Sequence, residues 1–223
     1  MKQIVVFYGY KGSGKDTCYE ILRDIYFDRK IESMTVGGKI RSLFGKDLQV
    51  KTIEKLSFAG KLREIVWDLF KNKIVDKNLL NGSIEQKETP IEGWEVPQDV
   101  KDSCGFTETY WTGRRLLQWF GTEVCRNVYR DVWVDAFVDQ LKESDEDVIC
   151  ITDCRFRNEY ETLKNLDKDE FEVSFIHVDR STDDNEYSTH ASEKDLKTFD
   201  CDVRIKNDGS LRELQDEITK LRL

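Results

Sequence analysis

The clearest chemistry in the chain is written in Gly9-Tyr10-Lys11-Gly12-Ser13-Gly14-Lys15-Asp16-Thr17. Glycines at these spacings let a backbone curl until successive N–H groups converge, and a helix starting behind them adds partial positive charge. Such a loop cradles phosphates, and Lys15 would reach the β- and γ-phosphates of ATP as a mobile point charge. Lys11, Gly12, Ser13, Gly14, Lys15, Asp16 and Thr17 are the candidate contacts. The commonest loop of this kind has Ser or Thr directly after the lysine, to bind Mg²⁺. Here Asp16 stands at that position and Thr17 follows it. Asp16 is the candidate Mg²⁺ ligand, directly or through water. It is equally readable as a helix N-terminal acid that complements the dipole. A plain glycine turn is the ordinary alternative for the loop as a whole. The strand-like run before it and the amphipathic run after it argue for the phosphate loop.

A second anion would need further cations, and arginine suits phosphate because its planar fork bonds two oxygens. Arg63 begins a helical run. Arg114 and Arg115 begin another, which continues through Gly121 and Thr122, and Arg155 and Arg157 follow an apolar strand-like run. Asp153, beside them, could position substrate or reach Mg²⁺ through water, or could serve as a turn or helix-capping acid. Arg155 and Glu159 stand four apart and could pair on a helix face. Trp133 offers a flat surface for a base, worth roughly 1–3 kcal/mol where stacking occurs. Val134 and Phe137 beside it make packing an equal reading. Only two histidines, His177 and His190, are present. Transfer to an already anionic phosphate oxygen needs neither as a base.

The elements that must hold these residues show in the periodicity. Five β-like runs, residues 3–8, 53–58, 148–152, 173–178 and 202–206, alternate with helical patterns such as Cys18, Ile21, Leu22, Ile25 and Val134, Phe137, Val138, Leu141. Ser210 and Glu213 make a capping box for a last helix. Strands alternating with helices predict an α/β fold with a mostly parallel sheet covered on both faces. Residues 31–52 are weakly patterned and would add a hairpin. Residues 76–112 are polar and carry both prolines, which predicts a lid-like insertion or partial disorder. We read the chain as a single domain, 1–223, with these insertions.

With 223 residues, 35 Lys plus Arg and 44 Asp plus Glu, the net charge is −9, which argues against general affinity for nucleic acid or anionic membrane. No run is long and apolar enough for a membrane helix. The six cysteines show no C-x-x-C pair, the pattern of reduced thiols rather than a zinc site. The expected protein is soluble, unexported and cytoplasmic.

Taken in order, G-Y-K-G-S-G-K-D-T, L-S-F-A-G-K-L-R, R-R-L-L-Q-W-F-G-T-E, W-V-D-A-F, T-D-C-R-F-R-N-E, T-H-A-S-E and I-K-N-D-G-S-L resemble the bacteriophage deoxynucleoside monophosphate kinases. The resemblance runs from residue 3 to about 218 and is weak over 30–50 and 76–110. It implies a P-loop NTPase fold of the nucleoside monophosphate kinase type, with three layers and a five-stranded, mostly parallel sheet. It also implies transfer from ATP, with Mg²⁺, to a deoxynucleoside monophosphate, and a homodimer in the host cytoplasm. Lys15, Asp153, Arg115 and Arg155 would be catalytic. Leu62, Arg63, Arg114, Arg115, Gly121, Thr122, Trp133, Asp135, Asp153, Arg155 and Glu159 would line the deoxynucleotide site. The family often has Lys where this chain has Arg63. Residues 180–199, with Thr189 to Glu193, would form a mobile lid. Two other readings use the same loop: a kinase of another phosphorylated small metabolite, and a nucleotide-binding regulator without turnover. A regulator has no need of the second arginine set.

Overall fold

The computed structural model describes residues 1–27, 51–181 and 196–221. In chain order it contains β1 (Lys2–Tyr8), α1 (residues 15–27), β2 (Ile53–Leu56), α2 (Gly60–Phe70), α3 (Asn78–Asn81), α4 (Ile84–Glu88), β3 (Pro90–Glu95) and α5 (Gln98–Cys104). There follow β4 (Tyr110–Thr112), α6 (Gly113–Gln118), a π-helical stretch (Trp119–Arg126), α7 (Val132–Glu143), β5 (Val148–Ile151), α8 (Arg157–Lys164), β6 (Phe171–Asp179), β7 (Val203–Lys206) and α9 (Leu211–Lys220). The chain divides into two compact units, Met1–Ser57 with Gln140–Leu223, and Phe58–Asp139.

The first unit is built on a five-stranded sheet in the order β2-β5-β1-β6-β7, parallel at every pairing. The five runs read from the sequence are its five strands, and the three-layer P-loop architecture follows from them. Both faces of β1 and β5 are buried, from Ile4 to Phe7 and from Val148 to Ile151, which explains why these strands read as unbroken apolar runs rather than alternating ones. On one face, Val5, Phe7, Ile176 and Val178 pack with Cys18, Leu22 and Tyr26 of α1 and Leu214 and Ile218 of α9. On the other, Tyr160 of α8 meets Phe175 at 4.6 Å between ring centroids. The capping box of α9 forms as its spacing predicts: Glu213 N–H donates to Ser210 Oγ at 3.3 Å, and Ser210 N–H donates to Glu213 Oε2 at 2.7 Å. From β1 the next strand of the sheet is β2 on one side, whereas from its neighbour β5 the next is β6 on the other, so the carboxyl ends of β1 and β5 flank the topological switch point where α/β sheets bind ligands.

The second unit holds a separate core of Leu62, Val66, Ile74, Leu80, Ile91, Val96, Phe106, Trp111, Leu116 and Trp133. Residues 76–112, polar in composition, are ordered there as short helices and the antiparallel pair β3–β4. Leu80, Ile91, Val96, Phe106 and Trp111 turn inward while Ile84 and Tyr110 stay exposed, and those buried side chains outweigh the polar average of the segment. Trp111 carries the aromatic cluster, with Trp119 at 5.3 Å and Trp94 at 5.9 Å. The hairpin expected over 31–52 lies outside the described residues except for 51–52, and the lid over 180–199 lies outside them over 182–195. Among the described residues no helix is long and apolar enough to cross a membrane.

Candidate active site

The loop between β1 and α1 is held from several sides. Gly9 and Gly14 have φ of 151° and 96°, in the region L side chains rarely adopt. A Cβ on Gly9 would collide with the Val178 carbonyl oxygen, and one on Gly14 with Asn207 Nδ2. Asn207, directly after β7, donates from that nitrogen to the Ser13 carbonyl at 2.9 Å, while its N–H donates to Asp179 O at 2.7 Å. The end of one strand thus fixes the crest of the loop. The Lys15 side chain is 8% exposed. Its ammonium donates to the carbonyls of Gly9 (2.9 Å) and Tyr10 (2.7 Å) and to Ser13 Oγ (3.4 Å). The first N–H groups of α1 have no acceptor within their own helix, so loop, helix start and Lys15 concentrate donors in one place. Lys11, Gly12 and Thr17 are exposed around it.

Asp16 Oδ1 accepts from Lys55 Nζ at 2.6 Å and Thr152 Oγ1 at 2.7 Å. Desolvation works to raise its pKa, but these hydrogen bonds and the Lys55 and Lys15 charges outweigh it and hold the carboxyl below its usual range. Oδ2 has no hydrogen-bond partner among the described residues, and the side chain is largely exposed. An ionised carboxylate oxygen with the Thr17 hydroxyl one residue on is a hard-oxygen donor pair that fits Mg²⁺. Among the described residues no group of three or more His, Cys, Asp or Glu side chains could cage a metal. A metal here would therefore share its shell with nucleotide phosphates and water.

Beyond β5, Asp153 Oδ2 accepts from Ser57 Oγ at 2.6 Å. Glu159 is 2% exposed, and its Oε2 accepts from the backbone N–H groups of Arg155 (2.8 Å) and Phe156 (3.0 Å). Those bonds, from the third residue of α8 back to its start, fix the turn that presents Arg155. The Arg155 side chain is exposed, with no ion-pair partner among the described residues. Arg157 pairs with Glu161 at 2.8 Å.

In the second unit the candidate residues are engaged with their own surroundings. Arg114 pairs with Glu88 at 2.9 Å. Arg115 Nε donates to Glu108 Oε1 at 2.6 Å and Nη1 to Gln118 Oε1 at 3.1 Å, with the guanidinium 5.0 Å from the Phe106 ring centroid. Glu108 is held below the usual carboxylate range: the Arg115 bond overcomes its desolvation. Leu62 and Gly121 meet directly, since a Cβ on Gly121 would lie 2.7 Å from Leu62 Cδ2. Trp133 is 3% exposed and donates from Nε1 to the Gly121 carbonyl at 2.9 Å. Of its two sequence readings, packing is the one the geometry displays. Gly121 and Thr122 lie in the π-helical stretch. Asp135 is exposed and accepts from Tyr129 OH, and Arg63 sits on α2 one residue beyond Leu62. Sequence reasoning missed Lys55, Thr152, Asn207 and Glu108. Each acts through a contact with a residue distant in the chain or on another element; Thr152 and Asn207 stand in T-D-C-R-F-R-N-E and I-K-N-D-G-S-L, but those segments by themselves do not display the contact.

Comparison with known proteins adds a family. The family model described as Deoxynucleotide monophosphate kinase matches residues 52–218, well over half of the chain. The chain belongs to this family. The match begins after the phosphate loop, so the loop geometry is an observation independent of it. The deoxynucleotide monophosphate kinase of Enterobacteria phage T4 is 27% identical across 97% of both chains. That of Escherichia phage RB69 is 36% identical over 115 residues, which span 50% of this chain and 45% of that protein. Among solved structures, TT1252 from Thermus thermophilus aligns over 99% of this chain and 96% of its own at 12% identity and a TM-score of 0.42. The APS kinase of Mycobacterium tuberculosis aligns over the same shares at 10% identity and 0.35.

Proposed function

We propose that the chain transfers the γ-phosphoryl group of ATP to the phosphate of a deoxynucleoside 5′-monophosphate, giving ADP and the deoxynucleoside diphosphate. The observation that carries this is the donor-lined loop at the end of β1, with Lys15 buried beneath it, in a chain of the deoxynucleotide monophosphate kinase family. The loop N–H groups and Lys15 bind the β- and γ-phosphates and offset the charge that spreads over the transferring group. Asp16, with the Thr17 hydroxyl nearby, would hold Mg²⁺, which would supply charge neutralisation and orientation of the phosphate chain. Arg155, exposed on a turn that Glu159 fixes, stabilises the transferring phosphoryl group, and Asp153 positions substrate. Arg63, Arg114 and Arg115 take the acceptor phosphate. Leu62, Gly121, Thr122, Trp133 and Asp135 shape the deoxynucleoside pocket, Trp133 by fixing the Gly121 backbone.

No general base is required, because the acceptor oxygen is already anionic. The most the protein can contribute is position and charge, and effective molarities from positioning reach about 10⁵ M or more. The homodimer, the host-cytoplasmic setting and the absence of nucleic-acid partners belong to the same reading; sedimentation of the purified protein tests the first. The deciding experiment is ADP release from Mg-ATP with dAMP, dGMP, dTMP, dCMP, the ribonucleotides and a phosphorylated non-nucleotide offered in turn. Turnover on deoxynucleotides supports the proposal. Turnover on the non-nucleotide alone rejects the substrate, and ATP binding without turnover on any acceptor rejects the activity.

A further inference from the structure

Asp16 is held in an asymmetric way. Both of its hydrogen bonds, from Lys55 on the edge strand β2 and from Thr152 just beyond β5, arrive at Oδ1. Oδ2 is left without a partner among the described residues on a side chain that is 75% exposed. The Lys55 ammonium is itself steadied, 5.3 Å from the centroid of the Tyr19 ring. An unrestrained aspartate at a helix start samples several rotamers and can turn either oxygen outward. One pinned from two strands presents a single oxygen in a fixed direction.

We infer that Thr152, together with Lys55, is a positioning residue that pins Oδ1 of Asp16 so that Oδ2 is presented to a divalent cation bound with the nucleotide. The inference rests on the proposed role of Asp16 as metal ligand and extends it to the residues behind that ligand. Outer partners of this kind fix ligand orientation, and their loss typically costs about 10- to 100-fold in metal affinity. The two partners differ in a useful way. Lys55 orients the carboxylate but also repels a cation through its own charge, so its removal mixes two opposing effects. Thr152 is neutral, and its removal reports orientation alone.

The test is Mn²⁺ affinity of the full-length protein in the presence of saturating ADP, read from the paramagnetic resonance of free Mn²⁺. ADP binding in chelator is measured alongside by calorimetry. Thr152→Val is expected to weaken Mn²⁺ about 10-fold while leaving chelator-phase ADP binding in place, and Thr152→Ser to restore the affinity. Asp16→Asn should weaken Mn²⁺ at least as much, and adding Thr152→Val to it should cost nothing more, since the hydroxyl acts only through the carboxylate. Should the valine variant fail to fold, Thr152→Ala carries the same reading. Unchanged Mn²⁺ affinity in the Thr152 variants, or a loss that adds to that of Asp16→Asn, overturns the inference and leaves these bonds as a stitch between α1 and the sheet. Failure of the wild-type protein to bind ADP at all would instead overturn the donor-site reading.

Discussion

The phosphate loop and the second-unit arginines, proposed to take two different phosphates, are built on opposite plans. The loop is made of backbone. Its lysine donates to the carbonyls of Gly9 and Tyr10, six and five residues away, and these acceptors are neutral. The arginines are made of side chains, and their partners are carboxylates: Glu88 for Arg114 and Glu108 for Arg115. An arriving phosphate meets an ammonium held by backbone carbonyls at the loop and guanidiniums held by carboxylates at the arginines. Ion pairs this exposed are worth about 0–1 kcal/mol, so the pairs can yield or share. They also keep the guanidinium oriented, and the Arg115 fork is held by Glu108, Gln118 and the Phe106 ring together. A backbone site is prepared by the fold. A side-chain site must be prepared by neighbours.

The largest effect expected from this contrast is at Lys15. Lys15→Ala removes the buried point charge of the loop, and turnover should fall by about 10³-fold in the coupled ADP-release assay. A fall below ten-fold would mean that the backbone donors alone carry the site. Next is Arg115, where the substitution that keeps charge and loses the fork is the sharper one. Arg115→Lys should lower kcat/KM for the deoxynucleotide by about 10²-fold, with ATP affinity unchanged. If lysine serves as well as arginine, the held geometry described above has no function. A third effect concerns stability. Gly121→Ala forces a methyl against Leu62 and should destabilise the second unit by about 1–3 kcal/mol, while the denaturation of the sheet unit, followed by hydrogen exchange, stays as in wild type. Exchange that rises equally in both units would show that they unfold as one.

The same contrast governs what could be read from the chain beforehand. The loop, the five strands and the α9 cap depend on near neighbours in sequence, and each carried a spacing that survives inspection of the residues alone. The second unit did not. Residues 76–112 average out as polar because their strands are short, β4 being three residues long, and because Ile91, Val96, Phe106 and Trp111 are widely spaced. No window of helical or strand period collects them. The π-helical stretch over Trp119–Arg126 reads as an ordinary helix, since the extra residue per turn is a property of packing and not of residue type. Trp133 could be assigned a base or a core with equal right until its indole was seen bonded to Gly121. Asn207 and Lys55 touch the loop from 194 and 39 residues away. Nothing local marks Lys55, and I-K-N-D-G-S-L does not display the loop that its Asn207 meets.

The smallest effect tests how the loop's surroundings respond to acid. His177 lies on β6 beside Tyr8, at 5.0 Å between ring centroids, and its buried Nδ1 has no hydrogen-bond partner among the described residues. Burial lowers its pKa from the ordinary value, with the Arg204 and Lys15 charges adding to the shift and Asp179 opposing it. Between about pH 6.5 and its lower folded value, the unfolded chain therefore binds a proton that the folded chain does not. Stability then rises with pH across this window and is lost as pH falls through it. One such proton can impose at most about 1.4 kcal/mol per pH unit, and a half-buried ring imposes well under that. Denaturation midpoints from pH 7.5 to 5 should thus fall less steeply in His177→Gln than in wild type, the difference between the two curves being the histidine's share. Curves that run parallel would assign the acid sensitivity to the carboxylates, and would show that the loop's neighbour on β6 stays neutral without cost to the fold.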